Sequence, residues 1–250
     1  MVKKIVKVCG IKTTEAAEVS IRNGASLIGT ILVPNRGRTV EPDVARELSR
    51  ICKETRERRH SKYVNSIDLL NYVRSVELTG PEWFEKVADI ISEEGPYLVG
   101  VFRNQPIEEV KQISNDLGID IVQLHGSENI DEFVQALDKP VIPRFVLSKP
   151  GIENALKTHE FLIPLLDSEA GGEGKVIDWK DAANFGIEMN GRYILAGGLN
   201  PENVESALKV PGCYGVDVSG GVESNGVKDH SKIESYVLNA RSLNNNMIIS

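Results

Sequence analysis

The stretch Lys7-Val8-Cys9-Gly10-Ile11-Lys12 ends a short apolar run in a cysteine, with a glycine behind it and a helix-forming segment soon after. A side chain at the C-terminal end of a parallel strand opens onto the reaction face of an α/β barrel, where a thiol can act as a base or a nucleophile. A lone cysteine is weak evidence, and its meaning rests on what else reaches the same face. A second apolar run, Leu165-Leu166-Asp167-Ser168, ends in an aspartate before the glycine-rich stretch Glu169-Ala170-Gly171-Gly172-Glu173-Gly174. A carboxyl there can serve as a general acid, because a loop closing over it would exclude water and raise its pKa. A strand-end aspartate is as often a turn former or helix cap.

Two glycine-rich turns follow later apolar runs: Ala196-Gly197-Gly198-Leu199 and Val218-Ser219-Gly220-Gly221. Glycine lets backbone N–H groups approach an anion closely, and turns after strands seven and eight are the usual phosphate site of a (β/α)8 barrel. The pair points to a phosphorylated small molecule as substrate. Arg38, in a polar loop, could hold a carboxylate in bidentate geometry, although spacing alone reads it as a solvated loop arginine. Alternation along a strand sets Lys7 and Cys9 on one face, and likewise Gln123 and His125. Asp217 would come beside Lys7 if the eighth strand closes onto the first, so the two are expected to pair inside the barrel mouth. A charged Lys7 there would favour the thiolate of Cys9.

These groups need strands to position them. Short apolar runs at residues 5–9, 26–32, 97–102, 120–125, 140–145, 161–166, 192–196 and 214–218 are rich in Val, Ile and Leu, as parallel strands buried on both faces should be. Between them lie stripes of helical period: Ala17, Ile21 and Gly24; Ile107, Val110, Ile113 and Leu117; Val204, Ala207 and Leu208; and Ile233, Tyr236, Val237 and Ala240. Thr13 or Thr14 can cap the first helix, and Asn200-Pro201 reads as a cap with proline at the first helical position. Eight strands, each followed by a helix and with no linker between halves, predict an α/β fold: one (β/α)8 TIM barrel over residues 1–250. A doubly wound open sheet is the alternative, but G-x-G-x-x-G after the first strand is absent. Residues 51–96 exceed what one helix and a loop require and read as a tolerated surface insertion on the second helix.

Composition narrows the function. A net charge of -7 argues against a general affinity for nucleic acid, and the short basic run Arg56-Glu57-Arg58-Arg59-His60 reads as a solvated helix face. Three widely spaced cysteines, Cys9, Cys52 and Cys213, form neither a disulfide framework nor a metal pattern. With no signal-peptide core and no membrane-length apolar run, a cytoplasmic protein is expected, acting as a monomer without metal or membrane partners.

Taken together, several segments resemble the phosphoribosylanthranilate isomerases of tryptophan biosynthesis. They are Lys7-Val8-Cys9-Gly10-Ile11, Val33-Pro34-Asn35-Arg36-Gly37-Arg38-Thr39-Val40, Gly100-Val101-Phe102-Arg103-Asn104-Gln105-Pro106, Val122-Gln123-Leu124-His125-Gly126, Leu166-Asp167-Ser168, Ala196-Gly197-Gly198-Leu199, and Gly215-Val216-Asp217-Val218-Ser219-Gly220-Gly221-Val222-Glu223. The second and last of these look like the monofunctional yeast-type branch. The resemblance implies an Amadori rearrangement of N-(5-phosphoribosyl)anthranilate with Asp167 as general acid and Cys9 as general base, and no cofactor. It implies that Arg38 holds the anthranilate carboxylate and that the Gly198 and Gly220 turns hold phosphate. The substrate-contacting set is then Arg38, Gln123, His125, Gly197, Gly198, Asp217, Ser219 and Gly220. Glu173 departs from the family, whose loop more often has threonine there. Three other readings fit parts of the pattern. A histidine-pathway isomerase would pair two strand-end aspartates, and a pentose-phosphate epimerase needs His and Asp metal ligands from several strands. A non-catalytic phosphate-binding barrel would not need both Cys9 and Asp167. A thiol-nucleophile enzyme would use Cys9 with His125 through an acyl intermediate.

Overall fold

The computed structural model describes residues 3–168 and 178–245. Eight parallel strands close into a barrel in chain order: β1 (Ile5–Val8), β2 (Leu27–Ile31), β3 (Tyr97–Phe102), β4 (Ile121–Leu124), β5 (Val141–Phe145), β6 (Leu165–Leu166), β7 (Tyr193–Leu195) and β8 (Cys213–Val218). Side chains fill the interior and helices cover the exterior, so every residue of β3 is buried and the apolar runs are nearly continuous. Seven strands fall within a residue of their expected ends. The sixth is shorter than the run 161–166: the Leu162 N–H still reaches the Val141 carbonyl at 2.9 Å, but Pro164 has no N–H to donate and β6 begins at Leu165.

Outside the barrel lie α1 (Thr14–Arg22), α2 (Pro42–Arg58), α3 (Ser66–Ser75), α4 (Gly80–Glu94), α5 (Ile107–Asp116), α6 (Ile130–Ala136), α7 (Trp179–Glu188), α8 (Val204–Leu208) and α9 (His230–Asn245). Thr13 caps α1, its hydroxyl accepting from the Ala16 N–H at 3.3 Å. The Asn200 side-chain oxygen accepts from the N–H groups of Glu202 and Asn203, both at 3.0 Å, but α8 begins only at Val204, after a turn at 201–203. The expectation of a helix after every strand fails at β5. There Pro150 and a left-handed Gly151 (φ 90°) prevent a longer helix, and one 3-10 helix, Ile152–Leu156, makes the connection.

Residues 51–96 do more than the surface insertion expected of them. Helix α4 buries Trp83, Phe84, Val87, Ala88, Ile90 and Ile91. Trp83 packs on His159 at 5.1 Å between ring centres, and Phe84 on Phe161 at 6.3 Å. Arg192 Nε donates to Glu85 at 2.8 Å, and the Lys3 N–H donates to Asp89 at 2.9 Å. Lys3, Phe161 and Arg192 all precede strands, so α4 lies across the N-terminal mouth of the barrel and forms its floor. Amphipathic period showed that α4 has an apolar face but not what that face covers.

The basic run needs a correction too. Arg56 is only 1% exposed. Its guanidinium grips Asp120 through two hydrogen bonds of 2.8 Å, donates to the carbonyls of Pro96 at 2.6 Å and Val64 at 2.9 Å, and stacks 4.7 Å from the Tyr97 ring. Burying a guanidinium is tolerable only when its donors are filled in this way. Arg58, Arg59 and His60 stay exposed, as expected. Among the described residues, no helix is long and apolar enough to cross a membrane.

If α4 is the floor, Trp83→Ala should lower the unfolding free energy by about 3–5 kcal/mol, read from the denaturant midpoint. Turnover below the melting transition should stay at the wild-type rate, because the reaction face is at the other end.

Candidate active site

At the C-terminal mouth the strand ends surround a cavity of about 780 Å³. Cys9, Arg38, Gln123, His125, Asp167, Gly197, Gly198, Asp217, Ser219 and Gly220 all line it, so the fold gathers the whole expected set around one space. Glu173 and the rest of the glycine-rich stretch 169–174 lie outside the described residues.

Barrel closure builds the Cys9 side. Parallel register sets Lys7 opposite Asp217 and Val8 opposite Val218, and the Cys9 N–H then donates to the Val218 carbonyl at 2.7 Å. Lys7 Nζ meets Asp217 Oδ1 at 2.9 Å with the lysine side chain fully buried, which is the expected pair. Burial alone pulls the Lys7 ammonium down, but Asp217 and then Cys9 more than offset it, and Lys7 ends above its ordinary pKa. The Cys9 thiol goes up as well. Burial is the largest cause, and Lys7 favours the thiolate as expected without outweighing it. Gly29 on β2 makes room for the thiol, since a Cβ there would stand 2.7 Å from Cys9 Sγ.

Around the barrel, β6 presents Asp167, only 3% exposed. Its Oδ1 accepts from the Ser168 N–H at 2.7 Å, and Arg144 Nε stands 3.4 Å from Oδ2. Burial raises the Asp167 pKa, and the opposing pull of Arg144 and the Ser168 N–H does not cancel it. His125 Nε2 lies 3.6 Å from the same Oδ2. Burial, helped by the cations Arg144, Lys7 and Arg103, pushes the imidazole down to about 3, so His125 is neutral beside Asp167. Gln123 Nε2 lies 3.2 Å from His125 Nδ1, as their shared strand face requires.

The two glycine turns touch each other. A Cβ on Gly221 would stand 1.8 Å from the Leu199 carbonyl oxygen, so only glycine lets the turn after β8 nest against the turn after β7. Gly197 and Gly198 both have left-handed backbones (φ 87° and 67°). Arg38 reaches across from the loop after β2, its NH1 donating to Ser219 Oγ at 3.2 Å. That contact places the guanidinium over the turn and takes it out of the class of freely solvated loop arginines.

Sequence reading missed Arg144, Arg103 and Lys228. Arg144 breaks the apolar run of β5 two residues after Ile142, a signal of an inward-facing charge. Lys228 had no such signal, because a hairpin outside the barrel brings it back.

A closed eight-stranded parallel barrel, with an acid, a thiol and paired glycine turns at its C-terminal mouth, is the architecture of a (β/α)8 enzyme acting on a phosphorylated small molecule. The comparisons narrow this class. Residues 50–239 match the family model of N-(5'-phosphoribosyl)anthranilate isomerase. The chain is 47% identical over 236 residues to N-(5'-phosphoribosyl)anthranilate isomerase of Wickerhamomyces anomalus, covering 94% of this chain and 99% of that one. Among solved structures, phosphoribosyl anthranilate isomerase from Thermus thermophilus aligns with a TM-score of 0.69 and 28% identity, covering 96% of this chain and 99% of that one. Another is a phosphoribosyl anthranilate isomerase in complex with reduced 1-(o-carboxyphenylamino)-1-deoxyribulose 5-phosphate. It aligns with a TM-score of 0.65 and 30% identity, over 97% of this chain and 100% of that one. The chain belongs to the phosphoribosylanthranilate isomerase family.

Gly29→Ala tests how Cys9 is seated. The added methyl must displace Sγ or the β1 end, so kcat should fall about a hundredfold or more while the circular dichroism spectrum stays native. Unchanged kcat would show that the thiol position is immaterial.

Proposed function

We propose that this isomerase converts N-(5-phosphoribosyl)anthranilate to 1-(2-carboxyphenylamino)-1-deoxyribulose 5-phosphate, with Asp167 as acid and Cys9 as base. The observation that carries the assignment of roles is the placement of both groups on one cavity, three strands apart around the barrel, with the glycine turns beside them. Asp167, whose buried site raises its pKa, gives a proton to the furanose ring oxygen from its protonated form. The C1′–O bond breaks and the anilino nitrogen supplies the electron pair, forming an iminium. Cys9 then takes the C2′ proton, and the C–H electrons neutralise the iminium to give an enolamine, which tautomerises to the ketone. The glycine turns at Gly197-Gly198 and Ser219-Gly220 hold the phosphate, and Arg38 the anthranilate carboxylate. Gln123, His125 and Asp217 complete the substrate contacts.

The two pKa directions act in opposite senses on this division of labour. A carboxyl ordinarily titrates far below a thiol, so at neutral pH the free enzyme is mostly carboxylate with thiol. The productive form, protonated Asp167 with thiolate Cys9, is a minor tautomer whose fraction is constant between the two titrations. Raising Asp167 enlarges that fraction, and raising Cys9 reduces it. The iminium supplies the positive charge that brings the thiolate out when it is needed.

An anthranilate-fluorescence assay tests these roles. Cys9→Ser and Asp167→Asn should each lose about a hundredfold or more of kcat. Wild-type kcat/KM should be flat across neutral pH, whereas the residual kcat/KM of Asp167→Asn should rise about tenfold per pH unit from about pH 6 to about pH 8, following the thiolate alone. A wild type that rises in the same way would reject Asp167 as the acid, and a wild type without turnover would reject the activity. The enzyme is further read as cytoplasmic, a reading supported by three buried free thiols, and as a monomer. Sedimentation at assay concentration should give one species near 27.5 kDa, and a dimer would refute it.

A further inference from the structure

Beyond the eighth strand the chain makes a feature that the reaction above does not use. Glu223–Ser224 and Val227–Lys228 form a two-stranded hairpin, β9 and β10, joined by Asn225 and Gly226, both with left-handed backbones (φ 53° and 76°). A two-residue Asn-Gly turn of this kind fixes the hairpin register tightly. It sets Lys228 directly opposite Glu223, with Lys228 Nζ 2.9 Å from Glu223 Oε1 and donating to the Ser219 carbonyl at 2.8 Å. Both side chains are largely shielded from solvent, at 7% and 12% exposure. A Cβ on Gly10 would stand 3.3 Å from the same Nζ, so the ammonium also lies against the turn that follows Cys9.

A buried ion pair costs desolvation, and two apolar side chains would brace a hairpin as well or better. The second carboxylate oxygen gives the pair another use. Glu223 Oε2 lies 3.6 Å from Arg38 NH2, while Arg38 NH1 donates to Ser219 Oγ. Arg38, Glu223, Lys228 and Ser219 therefore form a closed ring of polar contacts at the rim of the cavity. Arg38 stems from a polar loop and is 35% exposed, so without partners it would sample many rotamers.

We propose that Glu223 is the positioning residue that orients Arg38, and that Lys228 neutralises Glu223 so that the guanidinium keeps its charge for the substrate. This rests on Arg38 being the group that receives the anthranilate carboxylate. The arrangement has a definite sign. Removing the Glu223 charge frees Arg38 to wander. Removing the Lys228 charge leaves Glu223 to cancel Arg38 and to repel an incoming anion, which is worse.

Steady-state kinetics on the full chain test this. Glu223→Gln should raise KM for phosphoribosylanthranilate about tenfold with kcat within about twofold, as expected for loss of an orienting charge-assisted contact made equally in ground and transition states. Lys228→Met should raise KM further, and the double variant Glu223→Gln/Lys228→Met should return toward the Glu223→Gln value. Combined with Arg38→Ala, Glu223→Gln should add nothing. A merely structural brace would make the effects multiply, or would place them in kcat and thermal stability. Either result overturns the proposal, as does an unchanged KM in folded Glu223→Gln. If Glu223→Gln does not fold, Glu223→Asp serves, because its shorter arm keeps charge near Lys228 but withdraws it from Arg38, and KM should again rise. Should Arg38→Ala itself leave KM unchanged, the carboxylate reading of Arg38 falls and takes this proposal with it. An Arg38 effect that ignores Glu223 refutes the proposal alone.

Discussion

The mouth of this barrel depends on where β8 meets β1. Register on closure sets the fully buried Lys7 against Asp217, and one hydrogen bond further along ties Cys9 to Val218. A slip of one residue would turn Lys7 and Cys9 from the interior to the helix side and break both. The ion pair therefore does more than satisfy two charges. Losing either partner would leave an uncompensated charge in the interior, at a cost of about 3–5 kcal/mol, so the pair penalises wrong closures as well as filling the right one. The two ends of the chain thereby fix where the thiol stands relative to the Ser219 turn.

The barrel divides its labour between its ends. At the N-terminal mouth α4 lays an apolar face over the strand starts, and the nearby Arg56–Asp120 clasp joins α2 to the residue before β4. The cavity, the titratable groups and the glycine turns lie at the other mouth. Strands carry side chains to both ends, but only the C-terminal end is surrounded by the βα loops that can vary for chemistry.

Charge in the cavity follows a common rule. Burial moves Asp167 and Cys9 up and His125 down, so each shifts toward its neutral form. The two shielded lysines each face a carboxylate, Lys7 on Asp217 and Lys228 on Glu223. The resting site thus holds a protonated thiol, a neutral imidazole and locally balanced ion pairs, with Arg38 at the rim beside the Ser219 turn. An acid and a base can coexist in such a space because only one proton has to shift from the thiol to the carboxylate to make the productive form.

Much of this was readable in the chain. The eight apolar runs, the stripe of α1 and the capping Thr13 depend on near neighbours, so local pattern located them closely. The strand-end positions of Cys9 and Asp167 and the glycine turns were visible for the same reason. Even the Lys7–Asp217 pair could be anticipated, because barrel closure leaves β8 one place to go. Other features were hidden. Arg56 looked like part of a solvated face, since the sequence does not say that Asp120 and Tyr97 wait where that helix turn points. The α4 face was clear but its target was not, and Lys228 acquires its place from a hairpin that returns it to Ser219. Periodicity and strand ends are properties of neighbours along the chain, so the sequence by itself determined the barrel and the strand-end places of Cys9 and Asp167. Which distant partners those residues meet depends on closure and packing, and only the tertiary structure decided it.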